Sequence, residues 1–221
     1  MSLLLASLFP PDVVTLAATA ADEDESLLTA DEAAWLAPMV PARRREFAAG
    51  RNAARRALTR LGVAPTGIGR RLEDRDPIWP PGVIGSISHS HGAAAVAVAR
   101  AGALASLGLD IERSAPLGDE LVREVCRDEE LAQLRHLPPP APADWPMLLF
   151  CIKEAAYKAW FPLTREPLEF HHMQVLLQPE SRRFTARVRH AAFAGLALEG
   201  RYGWSEAIVV AGAVGRARRT V

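Results

Sequence analysis

Two stretches decide how this chain is to be folded: SHSHGAAAVAVA, Ser88 to Ala99, and YGWSEAIVVAGA, Tyr202 to Ala213. Each runs from a polar turn into an apolar strand of small residues. Two similar halves packed side by side would produce that echo, and so would chance. The first stretch also raises a chemical question. A turn between ordinary elements needs glycine and at most a serine. It does not need His89 and His91 set among Ser86, Ser88 and Ser90.

Working outward, VIGSIS carries Val83, Ile84 and Ile87 and reads as a strand entering the first stretch. AAAVAVA reads as a buried strand, and ALASLGLDIE as another that ends in charge. Upstream, GIGRRLEDRDPIWPPG is rich in turn formers. Before it, ARRREFAAGRNAARRALTRLG places Phe47, Ala54, Leu58 and Leu61 at helical spacing, with Gly62 as a stop. Thr29 and Glu32 have the spacing of a capping box, and Pro38 closes that short helix. The opening MSLLLASLFPPDVV reads as a strand with its turn. It lacks the basic start of a secretory signal and the length of a membrane span.

Downstream, Asp119 to Leu137 reads as one helix, PPPAPAD as a connector, and PMLLFCIKEAAYKAW as a helix with Pro146 in its first turn. The last third changes period. HHMQVLLQ, RRFTARVRH and EAIVVAGAV read as strands, and an antiparallel sheet follows from them.

With 221 residues, 49% of them hydrophobic, the chain can bury a substantial core as one domain or two small halves. Its 26 basic and 26 acidic side chains cancel, so no global field draws it to nucleic acid or to an anionic membrane. Any anion site must be local. Cys126 and Cys151 both lie in helical stretches, which fits reduced thiols and a cytoplasmic location.

Three groups of residues have the look of chemistry. Asp110 and Glu112 stand two apart at a strand end, so both carboxylates leave on one face. Either they are a solvated strand end with Arg113 as partner, or a hard dication such as magnesium relieves their repulsion. Glu154 and Lys158, four apart on a helix, form either an ordinary ion pair or a third acid with a phosphate-binding lysine, flanked by Lys153 and Tyr157. Among the arginines, Arg43 and Arg51 are eight apart, about two helical turns, and can reach one long anion. The other arginines read as solvated helix faces.

In their order, RRREFAAGRNAARRAL, DPIWPPGVIGSISHS, LGLDIE and FCIKEAAYKAW resemble the 4′-phosphopantetheinyl transferases, in particular the branch of the enterobactin-synthetase activating enzyme, component D. The likeness spans roughly Arg43 to Trp160. It implies an α/β (α+β) fold: a pseudo-twofold monomer of two similar halves, 1–108 and 109–221, each an antiparallel sheet packed with helices. It implies transfer of 4′-phosphopantetheine from coenzyme A to a carrier-protein serine. It implies Mg²⁺, with Mn²⁺ as a substitute, held by Asp110 and Glu154, with Glu112 either a third ligand or a support behind them.

The resemblance further implies that Arg43, Arg51, Arg71, Ser88, His89, Lys153 and Lys158 bind coenzyme A, and that Glu154, Lys158 and Asp110 carry catalysis. His89 would meet the 3′-phosphate, which answers the question of the histidine turn. The partners implied are coenzyme A and acyl or peptidyl carrier domains, with no membrane and no nucleic acid. Carrier docking is expected in a basic-edged groove between the Asp119 to Leu137 helix and the KEA helix, near Arg123, Arg127 and Arg135. Two rival readings use the same residues: a magnesium-dependent phosphohydrolase and a non-catalytic nucleotide-binding module.

Overall fold

The computed structural model describes residues 1–71, 76–189 and 197–216. Its helices are α1 (Ser2–Ala6), α2 (Ala30–Ala33), α3 (Pro41–Arg60), α4 (Asp119–Val125), α5 (Asp128–Leu134) and α6 (Trp145–Thr164). Its strands are β1 (Val14–Ala17), β2 (Gly69–Arg70), β3 (Pro77–Ile78), β4 (Val83–Ser90), β5 (Ala93–Arg100) and β6 (Leu104–Arg113), followed by β7 (Met173–Gln178), β8 (Arg183–Val188), β9 (Ala197–Trp204) and β10 (Ile208–Arg216). The fold is therefore mixed α+β, with every strand pair antiparallel.

One sheet has the order β1-β5-β4, a second the order β6-β10-β9-β8-β7, and β2 pairs with β3 alone. Each of the two larger sheets carries one twenty-residue helix. Ala53, Ala54, Ala57 and Leu58 of α3 pack on Val96 and Val98 of β5, and small side chains bring helix and sheet close. Leu148, Leu149, Ile152, Ala155 and Ala159 of α6 do the same for the larger sheet. Asp144 starts α6 by accepting the Met147 amide at 2.8 Å, and Pro146 sits in the first turn as its missing N–H allows. The capping box of α2 also forms, with Thr29 and Glu32 bonding reciprocally.

The seam between the two sheets is unusual. β4 and β6 lie side by side without a backbone ladder, because β4 pairs only with β5 and β6 with β10. Serine hydroxyls stand in for it. Ser86 Oγ accepts the Leu109 amide at 3.0 Å and Ser88 Oγ the Ile111 amide at 3.2 Å, one rung per alternate residue.

The question posed by the histidine turn now has a structural part to its answer. His91 and Gly92 form the two-residue turn from β4 to β5, both with positive φ (47° and 80°), as a primed hairpin turn demands. Glu46 of α3 braces that turn by accepting the Gly92 amide at 3.1 Å.

Four expectations need correction. The opening stretch forms α1 before any strand begins, because Leu4, Leu5 and Leu8 share a helical face; Leu5, Leu8 and Phe9 fill the core between the sheets. The Asp119 to Leu137 stretch is two helices. It breaks at Cys126 and Arg127, where the buried Glu130 carboxylate turns back to accept the Arg127 amide at 2.9 Å. β9 occupies ALEGRYGW, part of which had been assigned to a polar turn. The turn-rich stretch contributes two short strands, β2 and β3, with residues 72–75 outside the described residues, as is His190 at the end of RRFTARVRH. Among the described residues, no helix is long and apolar enough to cross a membrane.

Candidate active site

The acid group is built where β6 meets α6. Strand alternation sends Asp110 and Glu112 to one side of β6, and the spacing of Cys151, Glu154 and Lys158 puts all three on one face of α6. Gly108 is what lets these elements touch: a Cβ there would stand 2.0 Å from the Ala155 carbonyl oxygen and 2.6 Å from the Ala159 nitrogen. Across this contact Lys158 Nζ donates to Asp110 Oδ1 at 2.6 Å. Ser88 donates to the same oxygen at 2.8 Å, and Ser90 donates to Glu112 Oε2 at 2.6 Å.

Burial raises the pKa of Glu154, and the charges of Asp110 and Glu112 push it the same way, against the pull of Lys158. Glu112 is likewise raised, first by burial and then by Asp110, with the Ser90 hydroxyl opposing. Lys158 resists its own burial. Asp110 and Glu154 lift its pKa above the usual lysine value. Three acids and one ammonium therefore share a single electrostatic neighbourhood.

Among the described residues, no three Asp, Glu, His or Cys groups stand close enough to enclose a metal ion in this arrangement. The donor chemistry nevertheless fits a hard dication, being all carboxylate oxygen. Among the described residues, buried Asp110 Oδ2 meets no oxygen or nitrogen donor, though the Cys151 thiol lies beside the carboxylate, and its lone pair is one that a cation would satisfy.

The second group faces the other way from β4. A cavity of about 200 Å³ is lined by Arg43, Arg51, Arg70 and His89, floored by Phe47, Gly50 and Ile87. It shares Arg43, Glu46 and His89 with a cavity of about 540 Å³ reaching to Arg45 and His91. Arg43 Nη1 lies 2.6 Å from His89 Nδ1. A guanidinium can only donate, so Nδ1 accepts and the ring proton sits on Nε2. Burial, and then Arg43, push the His89 pKa down to about 4.

Arg51 is 6% exposed, its Nε has no hydrogen-bond partner among the described residues, and its guanidinium lies 4.6 Å over the Phe47 ring. Burial, helped by the like charges of Arg70, Arg55 and Arg43 and opposed by Glu32, brings its pKa down to about 10. Glu46 lines the same cavity, 3.3 Å from Arg43 and 3.5 Å from His89, so one carboxylate offsets part of this positive charge. Four other helix arginines make ion pairs instead: Arg44 with Glu25, Arg45 with Glu23, Arg55 with Glu32 and Arg56 with Asp22 tie α3 to the segment before it.

Two family models match this chain. The 4′-phosphopantetheinyl transferase N-terminal domain covers residues 31–99, and the 4′-phosphopantetheinyl transferase superfamily covers residues 106–207. The chain is 41% identical over 217 residues to the 4′-phosphopantetheinyl transferase Svp of Streptomyces mobaraensis, covering 94% of this chain and 87% of the relative. The chain belongs to the 4′-phosphopantetheinyl transferase superfamily. It is also 37% identical over 157 residues to the transferase PptT of Mycobacterium tuberculosis, covering 71% of this chain and 68% of that one. Enterobactin synthase component D of Salmonella typhi is 37% identical over 123 residues, 53% of this chain and 48% of the relative.

In this phosphopantetheinyl transferase the first match holds the arginine helix and the histidine turn, and the second holds the acids and Lys158. The structure gathers Asp110, Glu112, Glu154 and Lys158 on one side of β4, and Arg43, Arg51 and His89 on the other. Three residues lie elsewhere than expected. Lys153 is 1% exposed, and its three protons go to Glu130 Oε2 (2.8 Å) and the Val125 and Phe170 carbonyls (2.7 and 3.2 Å). Five positions from Lys158 is about 140° around a helix, so α6 turns the two lysines apart. Arg71 is exposed, with its amide on the Asp76 carbonyl, and Arg70 lines the cavity instead. Ser88 points to Asp110 and Lys158.

Proposed function

We propose that this transferase moves 4′-phosphopantetheine from coenzyme A onto a serine of an acyl, peptidyl or aryl carrier protein, with Mg²⁺ as its metal and adenosine 3′,5′-bisphosphate as the leaving product. One observation carries the reading: β4 stands between a cation-lined cavity, suited to a phosphorylated nucleotide, and an acid cluster, suited to a metal and a proton acceptor.

Arg43, Arg51, Arg70 and His89 bind the nucleotide phosphates in this reading, and the neutral His89 offers its Nε2 proton. The apolar slot of about 230 Å³ between Pro77, Ile87, Tyr157, Phe161 and Pro162 opens beside Lys158 and suits the uncharged pantetheine arm. Asp110, Glu112 and Glu154 would hold Mg²⁺, which would supply charge neutralisation to the pyrophosphate when bound. The carrier serine Oγ attacks the β-phosphorus, the bond from that phosphorus to the bridging oxygen of the pyrophosphate breaks, and Glu154 takes the hydroxyl proton. Lys158 Nζ donates to the phosphoryl oxygens as charge develops on them.

The carrier is received at the groove lined by Val122, Arg123, Arg127, Leu131 and His171, whose rim also carries Asp128 and Glu129. The enzyme works as a monomer of two similar halves, 1–108 and 109–221, in the cytoplasm, where Cys126 and Cys151 stay buried and reduced.

Incubation of an apo-carrier with coenzyme A and Mg²⁺, followed by mass spectrometry, tests the whole reading. Addition of about 340 Da at one serine is expected, as for a single covalent phosphopantetheine. Coenzyme A cleavage without that adduct would support the phosphohydrolase, and binding without turnover would support the nucleotide-binding module.

A further inference from the structure

β4 shows two chemistries on its two sides. Ile87 and His89 face the arginine cavity, whereas Ser86, Ser88 and Ser90 face β6. Ser88 has its hydrogen-bonding capacity filled. Its one proton goes to Asp110 Oδ1, and its two lone pairs accept the Ile111 amide and Lys158 Nζ, both at 3.2 Å. That hydroxyl is committed to aiming Asp110 and Lys158.

Ser90, two residues on, repeats the pattern toward Glu112. Its 2.6 Å bond to Oε2 is the one hydrogen bond that Glu112 receives among the described residues. The terminal torsion of a glutamate is broad, so a single donor is what gives this carboxylate a direction. It also faces Asp110, whose charge pushes it away. The backbone does not hold the pair in place, since β4 and β6 share no ladder.

We propose that Ser90 is a positioning residue for phosphopantetheinyl transfer, aiming the Glu112 carboxylate as Ser88 aims that of Asp110. The proposal rests on the reading above that Glu112 belongs to the acid group of the site. It also links the two sides of β4, because the strand that carries His89 into the nucleotide cavity carries the hydroxyls that set the acids.

The test compares the full-length enzyme with Ser90→Ala, Ser90→Thr, Glu112→Ala and the Ser90→Ala/Glu112→Ala double variant. Steady-state transfer to an apo-carrier and the coenzyme A Kd are measured for each. Partners one shell out from the reacting groups contribute about 10- to 100-fold, so Ser90→Ala should lower kcat by that factor. The coenzyme A Kd should stay within about twofold, Ser90→Thr should restore kcat, and the double variant should be no slower than Glu112→Ala, as residues acting as one unit behave.

Multiplying losses in the double variant would overturn the proposal, as would full activity in Glu112→Ala. So would a loss in Ser90→Ala confined to coenzyme A binding, which would make Ser90 a nucleotide contact. Titration of Mn²⁺ into the unmutated protein tests the metal separately. No binding there would remove the metal, while a non-additive double variant would still support Ser90.

Discussion

Replacing Gly108 by alanine adds one carbon at the place where β6 and α6 touch through their backbones. That carbon would sit 2.0 Å from the Ala155 carbonyl oxygen and 2.6 Å from the Ala159 nitrogen, against an ordinary contact of at least 3.4 Å. Neither neighbour is a flexible side-chain tip, so α6 must retreat by about 1 to 1.5 Å in a close-packed interior. The Lys158–Asp110 bond, now 2.6 Å, then stretches beyond hydrogen-bond range. Overpacking costs roughly 1–3 kcal/mol, and a lost hydrogen bond between charged groups about 1.5–3 kcal/mol.

Together these come to roughly 2.5–6 kcal/mol, a large part of the total stability of a domain this size. Urea unfolding should show an unfolding free energy lower by that amount, with the midpoint reduced in proportion, and transfer to a carrier should be nearly abolished even in the folded fraction. Gly102→Ala is the control, because nothing lies within 4 Å of a Cβ added there. Wild-type stability and turnover in Gly108→Ala would mean that the helix does not rest on the strand as described, and the acid cluster would lose its geometric basis.

Other outcomes are expected at single positions. Glu154→Ala should remove transfer while coenzyme A still binds by calorimetry; full turnover would exclude it as the proton acceptor. His89→Ala should weaken binding of coenzyme A but spare 3′-dephospho-coenzyme A, and equal losses for both would rule out the 3′-phosphate contact. Lys153→Ala strands the buried Glu130 and should cost about 3–5 kcal/mol in unfolding while leaving the KM for coenzyme A intact; a changed KM at full stability would return Lys153 to the substrate site. For pH, the folded His89 titrates at about 4 and the unfolded residue near 6.5, so the unfolded state binds more protons between those values. Stability should therefore fall as pH drops from 6.5 toward 4, by about 2 kcal/mol at pH 5 from this residue. His89→Asn should lose that much of the slope.

Much of the site was legible because it is written in local periods. A spacing of two on a strand placed Asp110 with Glu112, a spacing of four on a helix placed Glu154 with Lys158, and a spacing of eight placed Arg43 with Arg51. Where the period was too short to fix a face, reading failed. β2 is two residues long, so choosing between Arg70 and Arg71 amounts to choosing a register, and one step flips the side chain.

Lys153 failed for another reason. Its partner Glu130 comes from α5, whose start depends on a break in a pattern that looked continuous. The serines of β4 stand beside the histidines that a simple turn does not need, yet their partners lie on β6 in another sheet, a long-range pairing that no short window contains. The leucines of the opening stretch carried a usable signal, since Leu4, Leu5 and Leu8 have helical spacing.

The Phe9 ring lies over Gly212 of β10, so a segment near residue 9 is held by a strand made about 200 residues later. The partners of Leu5, Leu8 and Phe9 on β5 and β6 are made about 100 residues after them, roughly 5–20 s later at ordinary rates of protein synthesis, and β10 after about as long again. All three side chains are therefore covered in two stages, first by β5 and β6 and then by β10.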